Sequence, residues 1–555
     1  MSASREKQNR QAQTGQAGPK TAREIQQRQE EKRSNFLYGL IAAAFLVVVI
    51  LSVIWRSNVI PKMAPAATID GENYSVGEVS YYYQSVYRNF VNNYSYFLSY
   101  VGLDTSLPLK SQEITESAAS MLGIDTSSGD EAPAEDDADD TSAPAEGETS
   151  ADGEEENVDA GIGMTWFDYF IDQALNNMAT IQAGLKAAEA EGYTFSDSIQ
   201  VQYEEAMEAL RTTAAASGLS VSQYLTSSYG AGITEKIYGE QLLRSLQYSD
   251  YATTYTNSLT YSDTELSAPY ESDPNSYDHV SYEVVSFSGT AESTVDEEGN
   301  TIDPTEEESA AAMSAAQEKA DAVLAGFQEG ESLETLADEY DGTYSQNENS
   351  NYSAGDVLSE WVFDSARTEG DADILTSDTT LYVVVFHDRF RDEYDTVDVR
   401  HILVPLGTAT LTEEDEGYAA EQEQLAADAH AKAEELLAQW QSGEATEDSF
   451  ASMALTESTD TGSRFNGGLY TRVYQGQMVE TFNDWCFDAS RKAGDTGVVD
   501  TSYGSHVMYY VGTNLPRWQA QVAENLEYED YDEWETGLTA NSNIERHDFG
   551  MKFID

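Results

Sequence analysis

Two histidines, about a hundred residues apart and each inside an apolar β-like run, are the side chains of this sequence best placed to do chemistry. His401 lies in Val399-Arg400-His401-Ile402-Leu403-Val404, and His506 lies in Tyr503-Gly504-Ser505-His506-Val507-Met508. Between them stand Asp460, in the loop Ser458-Thr459-Asp460-Thr461-Gly462-Ser463, then Asn466-Gly467-Gly468, Gln475-Gly476-Gln477-Met478-Val479 and Phe482. Two imidazoles and a carboxylate can share hydrogen bonds and bias one another's protonation. Met478 and Phe482, four apart on a predicted short helix, present one apolar face. The set offers titratable side chains together with an apolar face. Phosphate-cradling glycine loops, a Gly-x-Ser-x-Gly elbow and His pairs at metal-binding spacing are absent from the sequence, so no cofactor and no metal are expected.

This order of motifs resembles the parvulin family of peptidyl-prolyl cis-trans isomerases over roughly residues 396–514. The resemblance puts His401 on the first-strand histidine of the family and His506 on the last-strand histidine. Asp460 falls where the family has Cys or Asp. Met478 and Phe482 fall on the proline-pocket residues, with Gln477 beside them, and Tyr503 takes the aromatic position before the second histidine. It implies an isomerase in which His401, Asp460 and His506 form the catalytic network and Met478, Phe482, Gln477 and Tyr503 bind substrate. Isomerising an X-Pro bond breaks partial double-bond character, against a barrier of about 18–20 kcal/mol. It calls for a ring-sized apolar pocket and groups that favour the twisted amide, and no nucleophile is strictly needed.

The sequence departs from the family after Gly467-Gly468. There the family continues Asp-Leu-Gly, and this chain has Leu469-Tyr470-Thr471-Arg472-Val473-Tyr474. The basic cluster of phospho-selective members is replaced by Glu413-Glu414-Asp415-Glu416, which disfavours an anionic client residue. A degenerate copy of the unit precedes it at about 120 residues' distance. Its first strand, Val280–Phe287, places Tyr282 at the position of His401, and Leu381 or a neighbour stands near the position of His506.

These residues must be positioned by a larger chain of 555 residues. Residues 1–35 carry eight Lys/Arg against four Glu, and the apolar, uncharged run 36–55 follows. Twenty such residues at about 1.5 Å each span about 30 Å, the thickness of a hydrocarbon core. The basic flank marks the cytoplasmic side. The expected localisation is therefore the cell membrane, single-pass, with the N-terminus cytoplasmic and the bulk extracytoplasmic. The formal charge of −71 repels nucleic acid and anionic lipid. Cys486 is the only cysteine, so no internal disulfide exists, and its apolar neighbours mark it as a core thiol.

The expected fold class is α+β. The expected parts are a cytoplasmic basic segment (1–35), a transmembrane helix (36–55), and a helical chaperone-like domain (66–272) with a disordered acidic insert (125–160). A degenerate parvulin-like domain (277–392), a parvulin isomerase domain (393–515) and a C-terminal helix and tail (516–555) complete the chain. Ser75-x-x-Glu78 predicts a helix from there to about Tyr100. This arrangement resembles the PrsA/SurA-like membrane-anchored extracytoplasmic foldases. That resemblance implies binding of unfolded or partly folded exported polypeptides, and the oligomeric state stays open. A non-catalytic holdase that uses parvulin folds as scaffold is the alternative. A wall-associated structural protein finds no tandem array or sugar-binding aromatic platform to support it.

Overall fold

The computed structural model describes residues 44–49, 52, 63–124, 161–295 and 301–554. The basic segment 1–35, most of the apolar run 36–55 and the acidic insert 125–160 lie outside the described residues. Among the described residues no helix is long and apolar enough to cross a membrane. The chain divides into two compact units, Met1–Ala252 with Glu535–Asp555, and Thr253–Trp534.

The first unit is built on long helices packed through aromatic side chains. Ser75 and Glu78 form the reciprocal capping box that starts the helix Val76–Asn93, satisfying two of its orphan N–H groups. The helix stops at Asn93, short of Tyr100, and the chain turns through Tyr94–Gly102. Tyr94, Tyr96 and Tyr100 are consequently exposed. Thr165 and Asp168 cap the helix Trp166–Glu191, which ends at Gly192 in the left-handed region. The two helices meet through the ring pairs Tyr83–Phe167, Tyr87–Phe170 and Phe90–Trp166.

A small antiparallel sheet closes this unit. The strand Ile544–Arg546 pairs with Pro65–Ile69, which pairs with Glu72–Ser75. Asp70 and Gly71, both at positive φ, make the two-residue hairpin turn that such tight connections require. The apolar chain end docks here: Ile554 is buried in the same core as Trp166 and Phe170. Truncating Ile554 to Ala therefore should cost about 2–4 kcal/mol. Calorimetry should show a lower melting temperature for this unit, and an unchanged one would mean that the docked end contributes nothing.

The second unit contains two four-stranded antiparallel sheets. In the first, β1 (His279–Ser288), β2 (Thr343–Ser350), β3 (Ala372–Ser377) and β4 (Thr380–Phe390) lie in the order β2-β1-β4-β3. Helices α1 (Glu306–Gln328), α2 (Leu333–Glu339) and α3 (Val357–Val362) complete it. The second sheet repeats the order with β5 (Asp395–Pro405), β6 (Leu469–Val473), β7 (Thr496–Thr501) and β8 (Gly504–Pro516), arranged β6-β5-β8-β7. Its helices are α4 (Tyr418–Ser442), α5 (Glu447–Glu457) and α6 (Glu480–Cys486).

Alternation of side chains gives the second sheet two apolar faces. One packs Ile402 and Val507 under Leu436, Trp440 and Phe450 of α4 and α5. The other packs Val399, Met508 and Tyr510 against Phe482, Trp485 and Cys486 of α6. Burial pushes the Cys486 thiol up to about 12, so it stays an un-ionised core side chain.

Candidate active site

His401 and His506 sit on the two central strands of the second sheet. Leu403 pairs with His506 and His401 with Met508. The two histidines are therefore diagonal neighbours on one face, at the end of the apolar patch covered by α6. Both are buried, and a buried imidazole requires partners.

All four ring nitrogens have them. Nδ1 of His401 lies 2.9 Å from Nδ1 of His506, with the ring planes only 22° apart. Nε2 of His401 meets Asp460 Oδ2 at 3.1 Å and Ser463 Oγ at 2.9 Å. Nε2 of His506 meets Thr501 Oγ1 at 2.9 Å. One proton arrangement pairs every ring nitrogen. His401 Nε2–H donates to the Asp460 carboxylate and to Ser463 Oγ, His506 Nδ1–H donates to His401 Nδ1, and the Thr501 hydroxyl donates to His506 Nε2. The relay runs from Thr501 to Asp460.

The loop that carries Asp460 is shaped for this task. Thr459 N–H donates to the Leu403 carbonyl and the Ser458 hydroxyl accepts from Leu403 N–H, which ties the loop to β5. Asp460 Oδ2 accepts hydrogen bonds from His401, from the Ser463 N–H at 2.9 Å, from the Ser463 hydroxyl at 2.5 Å and from the Tyr470 hydroxyl at 3.0 Å. These donors, His401 first, hold its carboxyl far below the usual carboxylate range. Gly468 explains the Gly-Gly turn. It has φ +73°, and a Cβ there would lie 2.2 Å from the His401 carbonyl oxygen. Only glycine lets the chain approach closely enough for His401 N–H to reach the Gly468 carbonyl at 2.9 Å.

A cavity of about 260 Å³ opens over this network. His401, Asp460 and His506 form its polar side, and Leu403, Met478, Val479 and Phe482 its apolar side. Gln477 and Tyr503 also line it and are exposed. The seven residues singled out from the sequence thus line one cavity. Phe482, at 3 % exposure, meets both imidazoles edge-on, at 84° to His401 and 85° to His506. Met478 precedes α6 in a turn and is not helical. Gly476 takes φ +83°, and the helix starts only at Glu480. Gln477 turns its side chain back, accepting from Tyr474 N–H at 3.1 Å.

Sequence reading missed Ser463, Tyr470 and Thr501 as parts of the network. The nearest signal was Tyr470 standing where the parvulin pattern has Leu. Among the described residues no group of three or more His, Cys, Asp or Glu could hold a metal ion.

In the first sheet, register replaces the reading of Tyr282 as the counterpart of His401. Tyr382 pairs with Ser286 and Val384 with Val284, as His506 pairs with Leu403 and Met508 with His401. Val284 and Tyr382 therefore occupy the histidine positions, and Tyr282 stands two residues earlier on the same face. An apolar side chain cannot relay a proton, so this face carries no equivalent network.

Burial, followed by the nearby His401, pulls the His506 pKa down to about 4. Between that value and the unfolded value of about 6.5, the unfolded chain binds a proton that the native chain does not. This contribution to stability is complete above pH 6.5 and is lost as pH falls towards 4, by up to a few kcal/mol. Urea denaturation from pH 7 to 4.5 should show a flatter pH slope for His506→Gln than for the wild type. Parallel slopes would contradict a neutral, buried His506.

Residues 382–511 match the family description of the PPIC-type PPIASE domain. The match begins in β4 of the first sheet and takes in all of the second but the last residues of β8. No curated protein matches the chain. Among solved structures, the peptidylprolyl isomerase PrsA from Bacillus anthracis is 19% identical over 27% of this chain and 60% of its own, with a TM-score of 0.17. PrsA from Bacillus cereus is 22% identical over 29% and 55%, also with a TM-score of 0.17. PrsA from Bacillus subtilis is 13% identical over 70% and 93%, with a TM-score of 0.21. The chain thus spans less than two thirds of the length of the first two.

Proposed function

We propose that this chain, whose residues 382–511 are a PPIC-type PPIASE domain, is a foldase that catalyses cis–trans isomerisation of X-Pro bonds in exported polypeptides. The observation that carries this reading is the hydrogen-bonded His401–His506–Asp460 relay on the polar side of an apolar-walled cavity. The twisted amide of the transition state loses its conjugation, and a site accelerates the reaction only by binding that form better than the planar ones. Phe482, Met478 and Leu403 hold the proline ring without reacting with it. The relay supplies fixed dipoles in a partly water-excluded site, where they need no reorganisation during the twist.

The acidic character of the site sets a preference for the residue before proline. Asp460 Oδ1 makes no hydrogen bond among the described residues, and Glu413, Glu414, Asp415 and Glu416 are exposed in the loop after β5. Negative charge there raises the energy of an anionic client residue. Exchange NMR on proline peptides with the purified chain should show catalysed isomerisation, with Glu before proline turned over more slowly than Ala or Lys. Faster turnover of the Glu peptide would contradict this electrostatic account, and absence of catalysis would contradict the function itself.

The first sheet, with Val284 and Tyr382 at the histidine positions, fits a non-catalytic parvulin-like scaffold for client contact. The holdase alternative draws on that observation and on the exposed Tyr94, Tyr96 and Tyr100 of the first unit. The apolar run 36–55 with its basic flank supports a single-pass anchor that leaves the rest of the chain outside the cytoplasm. Protease added to intact cells should then digest the chain, and complete protection would count against this orientation.

A further inference from the structure

We infer that Tyr470 is a positioning residue of the isomerase site, whose hydroxyl and ring together set the charge that Asp460 presents to His401. The inference rests on the function proposed above and deepens it. Tyr470 lies on β6, paired with Val399 of β5. Two residues beyond the Gly-Gly turn, it is brought alongside His401. Its ring stacks on the His401 imidazole, with centroids 5.2 Å apart and planes at 26°. Its hydroxyl donates to Asp460 Oδ2 at 3.0 Å, the same oxygen that receives the His401 Nε2–H.

A purely packing role would not call for the hydroxyl. The parvulin pattern has Leu at this place, and an apolar side chain could line the cavity as Tyr470 does. Burying a phenol costs free energy unless it is hydrogen-bonded. Here the bond goes to the one carboxylate that orients the histidine pair. Burial, followed by Asp460, pushes the phenol up to about 12, so it remains a donor throughout the working pH range.

The effect has a definite sign. Each donor on Asp460 Oδ2 spreads its negative charge and weakens its pull on the His401 proton. Without the Tyr470 hydroxyl the carboxylate attracts positive charge on His401 more strongly, and the pair takes up a proton at higher pH. Added positive charge then sits under the substrate amide. The stacked ring resists rotation of the imidazole, so losing the whole side chain does more than losing the hydroxyl.

Tyr470→Phe and Tyr470→Leu in the full chain test this. Two readouts are followed across pH, the histidine ring nitrogens by NMR and kcat/KM on a proline peptide. For Tyr470→Phe we expect the pair to take up its proton about half a pH unit higher. The acid limb of kcat/KM should move with it, and kcat should fall about three- to tenfold with KM little changed, as for the net contribution of one ordinary hydrogen bond. Tyr470→Leu should lose more kcat. A Tyr470→Phe variant with the wild-type nitrogen titration and wild-type pH profile would overturn the inference. The nitrogen titration also separates the two claims. Should the wild type fail to isomerise peptides while Tyr470→Phe still shifts the titration, the proposed function falls and the positioning role stands.

Discussion

Replacing Asp460 by Asn should lower kcat/KM by about 10- to 100-fold while leaving the fold intact. The estimate corresponds to losing charge-assisted hydrogen bonds of about 1.5–3 kcal/mol at the anchor of the relay. Asparagine keeps the volume but not the charge. Where Asp460 Oδ2 accepts from His401, Ser463 and Tyr470, a neutral amide accepts more weakly and can turn its NH₂ towards the same donors. The proton arrangement of the histidine pair then loses its bias. A pH signature follows from the depressed folded pKa. That contribution to stability is present above the unfolded carboxylate value of about 4 and is lost as pH falls through the lower folded value. Acid unfolding below pH 4 should therefore be shallower for Asp460→Asn than for the wild type. An Asn variant with undiminished turnover would remove the carboxylate from the mechanism.

Truncation of Phe482 should have the largest effect on both stability and activity. The ring is buried with Val399, Trp485 and Met508 and touches both imidazoles edge-on. Phe482→Ala removes a wall of the cavity, a support of the relay and a piece of the core, at a cost of about 3–5 kcal/mol. Activity should fall to background even in the molecules that remain folded. Because loss of activity alone could reflect unfolding, Phe482→Leu and Met478→Ala are the informative companions. Leucine keeps most of the buried volume and loses the edge contacts. Met478 is only half-buried, so its truncation should cost less stability while still opening the proline pocket. A Phe482→Leu variant that folds stably yet isomerises at the wild-type rate would show that the ring only packs.

The strand positions of His401 and His506 were legible because each histidine is embedded in a short apolar, β-like run. Strand periodicity explains the misplacement of Tyr282. Residues 280, 282 and 284 lie on one face, and only cross-strand pairing decides that Val284 is the counterpart of His401. Gly467-Gly468 was visible as a turn, but the close approach that excludes any Cβ at Gly468 is a tertiary fact. Ser463 and Thr501 carried no local signal, since polar residues in loops and at strand ends are common, and Tyr470 was marked only by its departure from the family pattern. Met478 was assigned to a helix from its spacing to Phe482, whereas Gly476 at positive φ delays the helix to Glu480. The apolar end near Ile554 was recognisable as something that docks. Its site, beside a strand almost five hundred residues earlier, is a long-range pairing that composition does not encode.

The most direct test of the isomerase reading is exchange NMR on an Ala-Pro peptide with the full chain, run in parallel with a folded Asp460→Asn variant. The account predicts accelerated cis–trans exchange at substoichiometric wild-type chain, saturating with peptide and reduced at least about tenfold in the variant. Exchange no faster than in buffer, with the native fold verified in the same sample, would contradict it and leave the second sheet a scaffold.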